Sequence, residues 1–185
     1  MSVLPIRVLG DPVLREETRP VAEVTDEIRR LIDDMFETMY AAQGIGLAAP
    51  QVGRTECVCV VDVEGERFAF VNPEIVHTQG PKEKAEEGCL SIPDVYGDVE
   101  RPSKVTVRAL DRNGAPFEVS AEALLGRCFQ HEIDHLHGKL FIDYLSFLKR
   151  RSALAKWDEE KDKYSGFIRI LKPGRPASEH PEEEL

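Results

Sequence analysis

The sequence predicts an α+β domain in which antiparallel strands and hairpins pack around a central helix. Three observations predict it. Residues 26–42 and 121–137 carry helical patterning or helix-boundary residues, and the chain between them is cut into short β-branched runs by Gly, Pro and Asn. The helices also stand before and after the strands instead of alternating with them. With 185 residues, of which 42% are apolar and 31% charged, the chain can build one domain with a real core.

The elements follow in order. In Asp26 to Ala42, Ile28, Leu31, Ile32, Met35, Phe36 and Met39 fall on one helical face. Thr25 is positioned as its N-cap, Asp26 and Glu27 favour the positive end of its dipole, and Gly44-Ile45-Gly46 ends it. Cys57 to Val61 reads as a buried strand; Phe68 to Val71 reads as another, broken by Asn72-Pro73. Lys104 to Leu110 alternates, with Val105 and Val107 on one face, and Asn113-Gly114 turns it into Pro116 to Val119. Ser120 is expected to cap a helix from Ala121 to His137, with Gly138 at its C′ position. A charged third helix is expected over about Ser146 to Lys163. Residues 1–171 are therefore expected to form a single catalytic domain. Residues 172–185, rich in Pro and Glu, are expected to be a flexible acidic tail.

Composition excludes several function classes. The 24 Lys and Arg against 34 Asp and Glu leave a net charge of −10, which argues against DNA as a partner. No apolar run approaches the roughly 20 residues that span a bilayer, so no membrane partner is expected. The opening MSVLPIRVLGDPVLREE lacks the pattern of a signal peptide. Four cysteines (Cys57, Cys59, Cys89, Cys128) are too few for a disulfide framework in a chain of this size, so a cytoplasmic location is expected.

The sharpest chemical signal is His131-Glu132-Ile133-Asp134-His135. On a helix, residues four apart lie one turn apart on the same face, so His131 and His135 can grip one metal ion. Glu132 stands beside them, near enough to reach a metal-bound water without being a ligand. Leu124 and Cys128 share the histidine face, so that face points inward, where unpaired polar groups are costly. The central helix is thus expected to be a metal-binding helix. Two histidines are incomplete, since a catalytic metal usually takes three protein ligands and leaves one position open. The cysteines, His77, His137 and distant carboxylates are the candidates for the third. Cys57 and Cys59 suit a core role, and Cys128 suits the lining of a pocket. Cys89, in Glu87-Gly88-Cys89-Leu90-Ser91-Ile92-Pro93, has a glycine before it that permits close backbone approach. One thiolate with two imidazoles suits Zn(II) or Fe(II). A further segment, Gly44-Ile45-Gly46-Leu47-Ala48-Ala49-Pro50-Gln51, is no dinucleotide fingerprint, because it lacks the third glycine and follows a helix. Its Gln51 offers an amide donor for a developing oxyanion.

Taken together and in this order, Gly44–Gln51, Glu87–Ser91 and His131–His135 resemble the peptide deformylase motifs G-φ-G-L-A-A-x-Q, E-G-C-L-S and H-E-x-x-H. The resemblance extends over roughly Leu4 to Leu148. It implies a metal-dependent hydrolase that removes the formyl group from N-terminal formyl-methionine of new polypeptides and releases formate. It places the metal on Cys89, His131 and His135, with Glu132 as general acid/base. The Gln51 side chain and the Leu90 N–H become oxyanion donors. The implied cofactor is one divalent metal ion, usually Fe(II), with zinc, nickel or cobalt able to occupy the same site. Metal-bound hydroxide attacks the formyl carbon. The substrate lies extended beside Gly44, Ile45 and Gly46, with Gly88 close by. Leu124, Arg127 and Cys128 line the methionine slot. Arg127 departs from the apolar residue more usual there, and its stem is expected to pack with its head in water. Glu87 and Arg101 are expected to pair and fix the Cys89 loop. The partners implied are formyl-methionyl N-termini, with the ribosome as a further candidate, and the chain is expected to be a monomer.

Two competing readings share the metal helix. A zinc endopeptidase would need a third ligand from a later His or Glu, and after Gly138 the only histidine is His180. A non-catalytic metal-stabilised module would need a closed fourth ligand and leaves Glu132 without a task.

Overall fold

The structure, a computed structural model, describes residues 1–171. The expected acidic tail, 172–185, lies outside the described residues. Ten elements follow in order: β1 (Ile6–Arg7), α1 (Asp26–Ala41), β2 (Gly46–Ala48), β3 (Val58–Val63), β4 (Glu66–Glu87), β5 (Gly97–Leu110), β6 (Pro116–Glu122), α2 (Ala123–Leu136), α3 (Phe147–Glu160) and β7 (Ile168–Arg169). Strands β2 to β6 form one five-stranded antiparallel sheet in sequential order, and β1 pairs with β7 in a separate two-stranded ribbon. The α+β class and its antiparallel hairpins stand as expected.

Strand β3 explains how the sheet is covered. Successive side chains of a strand point to opposite faces. Val58 and Val60 join the α1 residues Leu31, Ile32 and Met35 in one buried cluster. Cys59 and Val61 join the α2 residues Cys128, Phe129 and Ile133 in another. Both faces of β3 are buried, which is why it reads as an apolar run without alternation. A third cluster packs Val8, Cys89, Ile92, Phe141 and Trp157 around the loop between β4 and β5.

Helix α1 begins where expected, with the Thr25 hydroxyl accepting from the Ile28 N–H at 3.4 Å. Four expectations need correction. Asn72-Pro73 does not end a strand: β4 runs on to Glu87 through a register shift between Val71 and Glu74. Asn72 leaves the ladder with φ +51° and satisfies itself elsewhere, its amide exchanging two 2.8 Å hydrogen bonds with the backbone of Val21. Strand β5 begins at Gly97, well before Lys104, because Val99 and Arg101 already alternate inward among charged neighbours. Ser120 is not a cap; it lies opposite Thr106 in the ladder, which persists to Glu122, so α2 starts only at Ala123. The third helix ends at Glu160, and Lys161–Lys163 forms a 3-10 turn. Gly138 does take the left-handed conformation after α2, with φ +67°.

Candidate metal and catalytic site

Each motif arrives on a different element. Helix α2 carries His131, Glu132 and His135; the loop after β4 carries Cys89 and Leu90; a 3-10 turn after β2 carries Gln51. Cys89, His131 and His135 are all buried, and their ligand atoms lie within 4.8 Å of one another. The two imidazole centroids are 5.0 Å apart, and Cys89 Sγ is 3.4 Å from His135 Nε2. His131 Nε2, His135 Nδ1 and Glu132 Oε2 are buried without a hydrogen-bond partner. Such orphaned atoms are costly unless something meets them. Among the described residues this is the one group of donors placed to hold a metal ion. One sulfur and two ring nitrogens suit a divalent ion such as zinc or ferrous iron.

The surroundings orient these groups. Glu87, fully buried, pairs with His131 Nδ1 at 2.9 Å, which orients the ring with Nε2 toward the other ligand atoms. The same carboxylate accepts from Arg101 Nε at 2.7 Å, Arg101 Nη2 at 2.9 Å and Arg127 Nη1 at 2.7 Å. Burial opposes the Glu87 charge, but Arg101 and His131 outweigh it and hold the carboxyl well below the usual range. Arg101 also donates to Asp134 at 2.9 Å and lies over the Tyr144 ring, whose hydroxyl donates to Asp134 at 2.7 Å. The expected Glu87–Arg101 pair is thus one part of a larger buried network.

Burial opposes charge on His131 too, yet the neighbouring Cys89 sulfur and the Glu87 hydrogen bond push its pKa up to about 10. Burial and the neighbouring His131 charge hold His135 well below its ordinary value. Glu132 is raised to about 7, chiefly by burial. A carboxyl with that pKa can both take and return a proton at neutral pH. The Gln51 carbonyl accepts from the Ala48 N–H at 2.9 Å, which turns its amide nitrogen toward Ser91 Oγ at 3.2 Å and Cys89 Sγ at 3.6 Å.

The remaining motif residues divide. Gly46 lies under the Glu132 carboxylate, where a Cβ would stand 2.3 Å from Oε1. Gly44 is packed by Leu90 and Gly88 by the Tyr96 ring. Strand β2 is at the edge of the sheet, and the Ile45 carbonyl turns inward to accept from the Asp62 N–H at 2.8 Å. Cys128 is fully buried beside Ile45, and Leu124 is half-buried on the same helix face. Burial pushes the Cys59 and Cys128 thiols up, as suits core residues.

Arg127 differs from its expectation. Its head is not in water: besides Glu87 it donates to the carbonyls of Val99 at 2.9 Å and Glu83 at 2.8 Å, and the residue is 8% exposed. Position 127 faces β4 and β5, so a guanidinium there must find acceptors within the protein. Asp134 and Tyr144 were equally hidden from sequence reasoning, since their link to the site runs through Arg101. The only local signal for Arg127 was a charge on an otherwise inward-facing helix.

The sequence model of the Polypeptide deformylase family matches residues 3–151. A peptide deformylase of Alkalilimnicola ehrlichii is 55% identical over 163 residues, covering 86% of this chain and 91% of that protein. The crystal structure of a peptide deformylase from Legionella pneumophila is 47% identical with a TM-score of 0.84, covering 89% of this chain and 98% of that one. A Synechococcus elongatus peptide deformylase crystallised with actinonin is 48% identical with a TM-score of 0.81, covering 84% and 86%. A match across most of the chain, in sequence and in three dimensions, places this chain in the polypeptide deformylase family.

Proposed function

We infer that this chain is a hydrolase that removes the formyl group from N-terminal formyl-methionine of nascent polypeptides, releasing formate. One observation carries the reading: three segments distant in sequence bring Cys89, His131, His135, Glu132 and Gln51 to one buried point. Residues 1–171 act as one catalytic domain, and α2 is its metal-binding helix. Cys89, His131 and His135 would hold a divalent ion, with Fe(II) as the native metal and zinc, nickel or cobalt as alternatives. Such an ion supplies Lewis acidity, making water more acidic and offsetting charge on a formyl oxygen.

The chain's own groups do the rest. Glu132 takes a proton from the attacking water and returns it to the leaving amine nitrogen. The Gln51 amide and the Leu90 N–H donate to the formyl oxygen as charge grows there. The substrate backbone runs along the free edge of β2 at Gly44, Ile45 and Gly46, near Gly88. Leu124 and Cys128 supply apolar wall for the methionine side chain. Arg127, held by Glu87, Val99 and Glu83, acts there by closing that wall instead of reaching water. Such an enzyme works in the cytoplasm as a monomer, with the ribosome as a candidate partner. No helix among the described residues is long and apolar enough to cross a membrane.

Formate release from a formyl-methionyl peptide, set beside cleavage of unformylated casein, tests the reading. Formate without casein cleavage is expected; casein cleavage without formate would favour an endopeptidase. Metal analysis of protein purified without oxygen tests the assignment of iron.

A further inference from the structure

The family match ends at residue 151, yet the chain beyond it returns to the site. After α3, Tyr164 stacks on the buried Trp157, with centroids 5.7 Å apart and planes at 17°. That stack anchors the turn leading into β7. Strand β7 then pairs with β1, placing Ile6 opposite Arg169 and Arg7 opposite Ile168, and the Val8 N–H donates to the Phe167 carbonyl at 3.0 Å. The Phe167 ring covers Gly10, where an added Cβ would stand 2.3 Å from it, so only glycine lets the ring seat. From this ribbon two bonds reach the loop that follows β4. Arg169 Nη1 donates to the Leu90 carbonyl at 3.2 Å, and the Leu9 N–H donates to the Ser91 carbonyl at 2.8 Å. Leu171 packs on the cluster that contains Leu90.

We propose that the segment from Tyr164 to Leu171 is a strap that sets the Cys89–Ser91 backbone, with Arg169 as a positioning residue acting through the Leu90 carbonyl. The proposal rests on the reading of Leu90 N–H as an oxyanion donor. Two successive carbonyls of the loop are held from the ribbon side, while the Ser91 hydroxyl accepts from Gln51 on the other. The Leu90 N–H therefore sits in a backbone fixed on both flanks. A guanidinium donor makes a stronger bond than a neutral one and orients the carbonyl it meets.

The test uses the full-length, zinc-loaded protein and Arg169→Met, which keeps most of the stem and loses the donor. By NMR hydrogen exchange, the Leu9 amide and the Ile92 amide, which donates to the Cys89 carbonyl, should exchange about tenfold faster in the variant, the scale of one lost charged hydrogen bond. Deformylation should lose about tenfold in kcat with KM held, less than the hundredfold or more lost when an oxyanion donor is itself removed. Arg169→Lys, which restores a donor, should recover both. Should the Met variant aggregate, Arg169→Leu, which also lacks a donor, carries the same comparison. Unchanged exchange at Leu9 and Ile92 overturns the strap. Faster exchange with unchanged kcat overturns the positioning role. If the unaltered protein releases no formate, the functional reading fails, and the exchange measurement still decides the strap.

Discussion

Replacing Gly46 with alanine is expected to abolish most activity without displacing the metal ligands. Gly46 lies in β2 opposite Val61, and its neighbours Leu47 and Ala48 are fully buried and paired with β3. The strand cannot retreat. A methyl group there would stand 2.3 Å from Glu132 Oε1, 2.7 Å from Cδ and 2.8 Å from Cγ, where ordinary contact begins at 3.4 Å. The carboxylate must therefore move by about 1 Å, a displacement that costs catalytic groups about a hundredfold. A hundredfold in rate corresponds to about 2.7 kcal/mol of barrier. The assay is formate release followed with formate dehydrogenase, with metal per chain measured alongside. Metal content should match the unaltered protein, because the methyl meets Glu132 and neither imidazole. Gly44→Ala is the control. Its Cβ would meet the Leu90 side chain at 2.6 Å, an apolar branch able to rotate, so its loss should be smaller. A Gly46→Ala protein with full metal and undiminished kcat would refute the role given to Glu132.

Glu132→Gln should retain metal and lose at least about a hundredfold in turnover; loss of the metal would make Glu132 a ligand instead. Cys89→Ser should strip or weaken the metal, measured by equilibrium dialysis, whereas Cys59→Ser should change thermal stability with metal retained. Arg127→Met removes a buried partner of Glu87 and strands two carbonyls, so urea unfolding of the loaded protein should show a loss of about 3 kcal/mol; equal stability would mean Arg101 alone satisfies Glu87. Asp143 is partly buried, which alone would raise its pKa, but Arg15 and the Leu140 N–H hold it below its ordinary value. Its contribution is present above the ordinary carboxyl pKa and is lost as pH falls through the lower folded value. Below about pH 4 the unaltered protein should therefore lose stability faster than Asp143→Asn in acid titrations followed by circular dichroism.

Local periodicity determined a good deal. The spacing of Ile28, Leu31, Ile32 and Met35 named the buried face of α1, and Asn113-Gly114 named the hairpin between β5 and β6. His131 and His135 were bound to share a helix face, because four residues make about one turn. Such features depend on neighbours within a few residues, which the sequence displays directly. The tertiary structure decided what depends on distant partners. Asn72 stays within β4 because Val21, fifty-one residues earlier, meets its side chain. Arg127 is buried because Glu87, Glu83 and Val99 lie where a helix position alone would suggest a pocket or water. Gly46 is needed less for its own turn than because Glu132 from α2 occupies the space of its missing side chain. Ribbon β1–β7 joins residues more than 160 positions apart. A burial requirement can be read from composition, but the identity of the group that satisfies it emerges only when the sheet and helices close around it.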